Sequence, residues 1–99
     1  MNILVIGSGG REHAIAQQFI DSPSVENVFV APGNDGMLGG IQSVSIDALA
    51  FEELASFAKE NKIDLTFVGP EQPLAAGIVD YFEAADLRIL VPEVFIASN

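Results

Sequence analysis

The feature that most constrains the fold is an alternation of short apolar runs with segments of helical periodicity. Three runs rich in β-branched and aromatic residues each stop at glycine or proline, at positions 3–6, 28–31 and 65–68. Runs that are apolar on both faces are typical of strands in a parallel sheet that helices cover on both sides. Segments of roughly 10–15 residues with helical periodicity between such runs indicate crossover helices. The pattern therefore predicts a three-layer α/β fold with a mainly parallel sheet of four to five strands.

Further elements are predicted by local signals between the runs. Helices are expected over residues 12–21, 47–60 and from 73 onward, and short strands at 44–46 and 87–91. Asp47 is predicted to cap the second helix, and Pro73 to begin the third. Gly77 lies inside that third helix, where glycine costs ~1 kcal/mol relative to alanine. We therefore expect the helix to approach backbone or a ligand closely at Gly77.

Composition excludes several classes of function. The chain has 99 residues, with 14 acidic and 4 basic side chains and a formal charge of −10. Nucleic acids and anionic membranes are bound through basic surfaces, so neither is an expected partner. Cysteine is absent, which excludes disulfides, thiolate zinc sites and cysteine nucleophiles and fits a cytoplasmic protein. The apolar runs are too short for a membrane helix, and no signal peptide is expected.

Three loops follow the carboxyl ends of predicted strands, at residues 7–11, 32–34 and 69–77, and all are rich in glycine or proline. In a doubly wound sheet, ligands bind beyond the carboxyl ends of the strands. We therefore expect the three loops to converge on one edge of the sheet and to form a binding site there.

The first loop has the residues of a phosphate site. Gly7, Gly9 and Gly10 lie between a strand and a helix, where glycine lets backbone N–H groups approach an anion closely. The helix N-terminus adds partial positive charge, and Arg11 offers a bidentate grip on phosphate. A tight strand–helix turn without a ligand is the alternative, and the residues alone leave both readings open.

Other motifs are absent or less specific. A dinucleotide fingerprint needs a small residue where Glu12 stands and an acid where Ala31 and Pro32 end the second strand, and no P-loop sequence is present. His13 is the only histidine, so a histidine-rich metal site is excluded. Glu71 could bind a sugar hydroxyl or a substrate amine through its carboxylate, or it could be a loop acid or a negative charge at the start of a helix.

Taken together, the loops resemble the N-terminal domain of the phosphoribosylamine–glycine ligase family, also called glycinamide ribonucleotide synthetase. The resemblance covers about residues 1–90. It is carried by GSGGREHA at 7–14, APGN at 31–34, VGPE at 68–71 and PLAAGIVD at 73–80. Each motif is weak alone, but the set is specific because all occur in the same order and at the same spacing.

The resemblance implies a Rossmann-like, pre-ATP-grasp domain over residues 1–90. In this family, ATP activates glycine for attack by 5-phosphoribosylamine, a step of de novo purine synthesis in the cytoplasm. The N-terminal domain helps to hold phosphoribosylamine, whereas ATP and Mg²⁺ bind in an ATP-grasp module elsewhere in the enzyme. We therefore expect this chain to bind neither cofactor, to contain no catalytic or metal-binding residue, and to be inactive alone.

The resemblance also implies which residues line the substrate site. They are Gly9, Gly10, Arg11, Glu12, Pro32, Gly33, Asn34, Gly69, Pro70, Glu71, Pro73 and Leu74.

Two departures from the family stand out. Asp86 replaces a glycine just after the third helix, where a left-handed residue is expected. Residues 91–99 form an atypical, largely apolar tail in place of a Phe-Gly-Pro turn and a helix, which is consistent with an altered terminus, an engineered end or an added strand. The alternative function is a self-associating α/β module that dimerises or swaps domains through this tail and has no ligand role.

Overall fold

The structure, a computed structural model, describes residues 1–33 and 40–91. Within these residues the elements are β1 (Asn2–Gly7), α1 (Gly10–Ile20), β2 (Asn27–Pro32), β3 (Ile41–Ser43), α2 (Phe51–Glu60), β4 (Leu65–Val68), α3 (Glu71–Ala75), α4 (Ile78–Ala84) and β5 (Ile89–Leu90). Asn34 and nearly all of the predicted tail lie outside the described residues, so the predicted division at residue 90 stays a prediction.

The strands form one sheet with the order β3-β2-β1-β4-β5, and every neighbouring pair is parallel. The chain moves outward from the central β1 through β2 to β3, then returns to the other side of β1 to form β4 and β5. The boundary between β1 and β4 is therefore the topological switch point, where ligands bind in sheets of this class. The predicted parallel sheet is confirmed.

Helices cover both faces of the sheet and make three layers. On one face Val5 of β1 packs in a buried cluster with Ala16 of α1. On the other face Ile6 packs with Leu54 of α2 and Phe82 of α4. Successive side chains of a strand point to opposite faces, which is why β1 is apolar at consecutive positions. The predicted α/β layering is confirmed.

The single helix predicted from Pro73 is instead two short helices, α3 and α4, so that prediction was wrong. Gly77 lies between them with a φ of 97°, in the left-handed region that favours glycine. A Cβ on Gly77 would meet no atom of the described residues within 4 Å, so the expected close approach to other backbone was wrong, and the alternative of a ligand there stays a prediction. Pro73 is the third residue of α3, still in the first turn, where backbone N–H groups have no intrahelical partner.

The elements around α2 differ from the prediction in their limits. α2 begins at Phe51, later than predicted, and Ala50 occupies its N-cap position. Asp47 Oδ2 instead accepts a hydrogen bond from the backbone N–H of Leu49 at 2.9 Å and closes a local turn. β3 precedes the predicted strand at 44–46, and β5 is shorter than predicted. Both are edge strands, whose ends have hydrogen-bonding neighbours on one side only.

The helix end before β5 confirms the expected left-handed residue, because Asp86 has a φ of 61°. Leu87 N–H donates to the Phe82 carbonyl at 2.9 Å, and Asp86 N–H donates to the Glu83 carbonyl at 3.1 Å. This is the Schellman arrangement, in which glycine is preferred at the position of Asp86. The Asp86 carboxylate also lies at the negative end of the helix dipole.

Candidate functional site

The carboxyl ends of β2, β1 and β4 bring the predicted loops to one edge of the sheet. Gly69 N–H donates to the Ile6 carbonyl at 3.2 Å, and Gly33 N–H donates to the Gly7 carbonyl at 3.0 Å. The end of β1 is therefore hydrogen-bonded to the loops on both sides. We call this edge the rim, and it comprises residues 7–12, 32–33 and 69–71.

A buried carboxylate side chain lies at the centre of the rim. Glu12 is in the first turn of α1 and is only 8% exposed. A Cβ on Gly7 would collide with Cγ of Glu12, and a Cβ on Gly69 would lie 2.9 Å from the same atom. Cβ atoms do not approach other atoms so closely, so both glycines are needed to make room for Glu12. The side chain thereby fills the space between the ends of β1 and β4.

Gly9 and Gly10 form the outer, exposed part of the rim. Gly9 is the N-cap residue of α1, with φ −86° and ψ 175°, which is ordinary extended backbone. A Cβ there would lie 3.3 Å from Oε2 of Glu12, and a Cβ on Gly10 would meet nothing within 4 Å. Both glycines therefore leave the backbone open to a ligand. The first N–H groups of α1 have no intrahelical partner, so they are available to an anion.

Arg11 is the cation of the rim. Its Nη2 donates a hydrogen bond to the Gly69 carbonyl at 3.2 Å, which links α1 to the loop after β4. A guanidinium has five N–H donors, so this bond leaves others for an anion. The other basic side chains are at the opposite edge or on α2: Lys59, Lys62 and Arg88.

The loop after β2 is tightly packed against β3. The Ala31–Pro32 peptide is cis, and Gly33 has a φ of 65°. A Cβ on Gly33 would lie 2.8 Å from Oγ of Ser43, so the loop has no space for a side chain there. The structure thus brings Pro32 and Gly33 to the rim. The third predicted residue of this loop, Asn34, lies outside the described residues.

The loop after β4 divides the remaining predicted residues into two groups. Gly69 lies at the rim, Pro70 is the N-cap residue of α3, and Glu71 is the exposed first residue of that helix. Pro73 and Leu74 are buried behind the rim, and Leu74 belongs to the core cluster shared with α2 and α4. A ligand on the rim would therefore contact residues 69–71 directly, whereas residues 73 and 74 lie behind them.

Gly7 is a rim residue that the predicted site omits. Its φ of 144° and its close approach to Glu12 depend on the folded structure and cannot be read from the sequence. A signal was present in the sequence, because β1 ends at Gly7, β4 is followed directly by Gly69, and Glu12 is the only acidic residue between positions 7 and 20.

Other surface features of the described residues lie away from the rim. Grooves of about 310–470 Å³ run along α2, between α2 and α4, and beside β5. Across residues 1–33 and 40–91, no group of three or more His, Cys, Asp and Glu side chains is arranged to hold a metal ion. No helix in that part of the chain has the length and apolar character to span a membrane.

The fold and the rim together define a doubly wound α/β domain with a candidate ligand site at its switch point. The site offers exposed glycine backbone, a helix N-terminus and an arginine, which are the groups that bind phosphate. Comparison with known families agrees: the model of the phosphoribosylglycinamide synthetase N domain matches residues 1–98. The chain belongs to this family, which confirms the resemblance found in the sequence.

Three similar curated proteins all carry the name phosphoribosylamine–glycine ligase. The chain is 60% identical over 92 residues to phosphoribosylamine–glycine ligase of Halalkalibacterium halodurans, which is 93% of this chain and 22% of that protein. It is 58% identical over 93 residues to the enzyme of Streptococcus suis, again 93% of the chain and 22% of the relative. To the enzyme of Lactococcus lactis it is 58% identical over 93 residues, which is 93% of this chain and 23% of that protein. The chain thus spans less than a quarter of the length of these relatives.

Proposed function

We propose that this chain holds 5-phosphoribosylamine for a phosphoribosylamine–glycine ligase, the cytoplasmic enzyme that joins glycine to this amine with ATP in purine synthesis. The observation that carries the proposal is the rim itself, where exposed glycine backbone, the α1 N-terminus and Arg11 meet at the switch point. The names of the relatives supply the identity of the substrate.

The chemistry of the rim suggests how the substrate lies on it. The phosphate group fits the N–H groups at Gly9 and Gly10, with Arg11 as its counter-charge. The sugar then extends towards the loop after β4, where Glu71 is exposed and offers a carboxylate to ribose hydroxyls. Pro32 and Gly33 form the opposite wall.

The remainder of the parent enzyme supplies what this chain lacks. We place ATP and Mg²⁺ in an ATP-grasp domain outside these residues, which is also the partner of this domain in catalysis. The 99-residue chain alone is therefore expected to release no ADP when given glycine, ATP and the amine. Turnover above the protein-free rate in a coupled ADP assay contradicts this expectation.

An NMR titration tests the proposed binding site. Ribose 5-phosphate is expected to shift the backbone amide signals of residues 7–12 in ¹⁵N-labelled chain. Arg11→Ala should weaken binding by about 1.5–3 kcal/mol, the range for a hydrogen bond to a charged group. Arg88→Ala is the matched control, because that arginine is exposed at the amino end of β5, on the opposite edge. Equal effects of the two substitutions, or shifts confined to other surfaces, contradict the proposal.

A further inference from the structure

The two faces of β4 differ in how far helices cover them. Leu65 and Phe67 pack with the cluster on the α1 face, and both are only half-buried. Thr66 and Val68 point to the opposite face and are fully buried. In the central strand β1, residues 3–6 are fully buried on both faces. Among the described elements, α1 packs mainly on β1, β2 and β3, so its cover stops short of β4.

The same face of β5 is open as well. Ile89 packs in the core on the side of α2 and α4. Leu90, the next residue, therefore points to the α1 face, where it is 49% exposed. Phe67 and Leu90 are paired neighbours in the sheet. We call the surface formed by Leu65, Phe67 and Leu90 the open strip, and it runs along two strands beside α1.

One side of α1 borders the open strip with further apolar side chains. Ile15 and Phe19 follow Glu12 by three and seven residues, a spacing that puts all three on one side of a helix. Glu12 lies against Gly69, directly after β4, so this is the side of α1 that faces β4. Ile15 and Phe19 are half-buried members of the same cluster. The open strip thus has an apolar floor and one apolar wall.

The polarity of β4 is the reverse of what a solvent-facing strand requires. When one face of a sheet is in water, polar residues occupy the open face and apolar residues the covered one. In β4 the open face has leucine and phenylalanine. The covered face has Thr66, whose buried hydroxyl has no hydrogen-bond partner among the described residues. Exposed apolar patches mark interaction sites, so we expect the open strip to be covered in the working protein.

The dimensions of the open strip fit one α-helix. Neighbouring strands are ~4.8 Å apart, so two strands present a width of about 10 Å, which is the diameter of a helix with its side chains. α1 already lies on this face, and helices pack side by side at distances of ~8–10 Å. The four residues of β4 extend for about 13 Å, the length of roughly nine helical residues.

We propose that the open strip is the docking surface for a helix with an apolar stripe, contributed by the part of the ligase outside these residues. This chain spans 22% of its Halalkalibacterium relative, so most of such an enzyme lies beyond it. The last described residue, Val91, directly follows β5, which borders the strip. The inference rests on the proposed partnership between this domain and the rest of the ligase, and it names the surface where they meet.

A second copy of this chain offers no matching surface for the open strip. Among the described helices, α1, α2 and α4 turn their apolar stripes towards the sheet, so none presents an apolar face of this length to another molecule. The net charge of −10 also opposes the approach of two copies. A helix from the remainder of the ligase is under neither constraint.

Cysteine labelling tests the assignment, because the chain has no cysteine of its own. Leu65→Cys and Leu90→Cys are made in the 99-residue chain and in a fusion, where the matched segment of this chain replaces the corresponding segment of the Halalkalibacterium halodurans enzyme. Reaction with N-ethylmaleimide is followed by mass spectrometry of the labelled peptide. In the fusion both thiols should react about tenfold more slowly than in the chain alone, because they are reached only when the helix lifts away.

Tyr81→Cys is the matched control. Tyr81 is 41% exposed on α4, on the opposite side of the sheet, and is thus similar to Leu90 in exposure. Its labelling rate should agree between the chain and the fusion within about twofold, because access to this thiol is unchanged. Leu65→Cys excludes an effect of the fusion point itself, since Leu65 begins β4 at the amino end of the strip.

The outcomes separate the inference from the proposed function. Equal rates in the chain and the fusion at Leu65→Cys overturn the inference, and so does equal slowing at all three positions. Protection of Leu65→Cys already in the chain alone also overturns it. The occupant is then residues 92–99 if their deletion restores labelling, or a second copy if dilution does. If the strip is protected in the fusion but ribose 5-phosphate shifts no rim signal, the substrate role fails and the docking surface stands.

Discussion

At the scale of single residues, Gly7 has the strictest requirement on the rim. Its φ of 144° is in a region that side chains rarely adopt, and the position of a Cβ is already occupied by Glu12. Gly10 lies three residues further on and has neither constraint, because a Cβ there would meet nothing within 4 Å. The two glycines of one loop therefore have different reasons to be present.

Gly7→Ala is expected to lower the free energy of unfolding by about 2–4 kcal/mol through steric overlap and backbone strain. Gly10→Ala should change it by less than about 0.5 kcal/mol, since alanine suits a helix. Urea unfolding followed by circular dichroism measures both. Adding Glu12→Ala to Gly7→Ala should recover part of the loss, because it removes the overlap and leaves only the strain. Similar stabilities for the two single variants would show that Glu12 does not fill this space.

At the scale of elements, helix ends carry information that periodicity lacks. Leu74, Ile78 and Phe82 have helical spacing and all face the core, so the sequence pattern runs through the break between α3 and α4. The glycine between these helices signals the break only when its φ is known. Apolar periodicity identifies which face is buried, whereas the break depends on a backbone dihedral that no neighbouring residue encodes.

The helix end at Asp86 provides a test of stability. Asp86→Gly should raise the free energy of unfolding by about 0.5–1 kcal/mol, because glycine adopts a positive φ without steric cost and removes a carboxylate from the negative end of α4. Asp80→Gly is the control, since Asp80 lies in the first turn of the same helix and is exposed. That change should lower stability by roughly 1 kcal/mol. Urea midpoints that move in the same direction for both variants contradict this account of the helix end.

Much of the site follows from the sequence, and the part that does not is tertiary. Glycine-rich segments at the ends of apolar runs predict that loops meet at one edge, because parallel strands align their carboxyl ends. The structure brings Gly9, Gly33 and Gly69 to that edge as expected. The contact of Glu12 with Gly69 was not predictable, since it joins distant parts of the sequence through the packing of α1 against the sheet.

At the scale of the whole molecule, the edge strand β5 is the candidate site of self-association. Leu90 is 49% exposed at this edge, and the sequence that follows it is largely apolar. Exposed apolar edges favour pairing with another chain.

Self-association through the tail predicts a dimer by size-exclusion chromatography with light scattering, and a monomer after deletion of residues 91–99. Leu90→Lys should also weaken the dimer, because a charge at the edge opposes pairing. Leu49→Lys is the matched control, since Leu49 is 41% exposed elsewhere on the surface. A chain that is monomeric at every concentration, or a dimer unchanged by the deletion, contradicts this prediction.

The double attachment of the end of β1 limits how the rim can respond to a ligand. Consecutive carbonyls, of Ile6 and Gly7, anchor the loops on the two sides. A molecule too wide for the space cannot displace one wall without bending the strand that supports the other. The domain should consequently select ligands by their size. A ligand that is too wide should bind with lower affinity, and the backbone of the two loops should keep the same conformation.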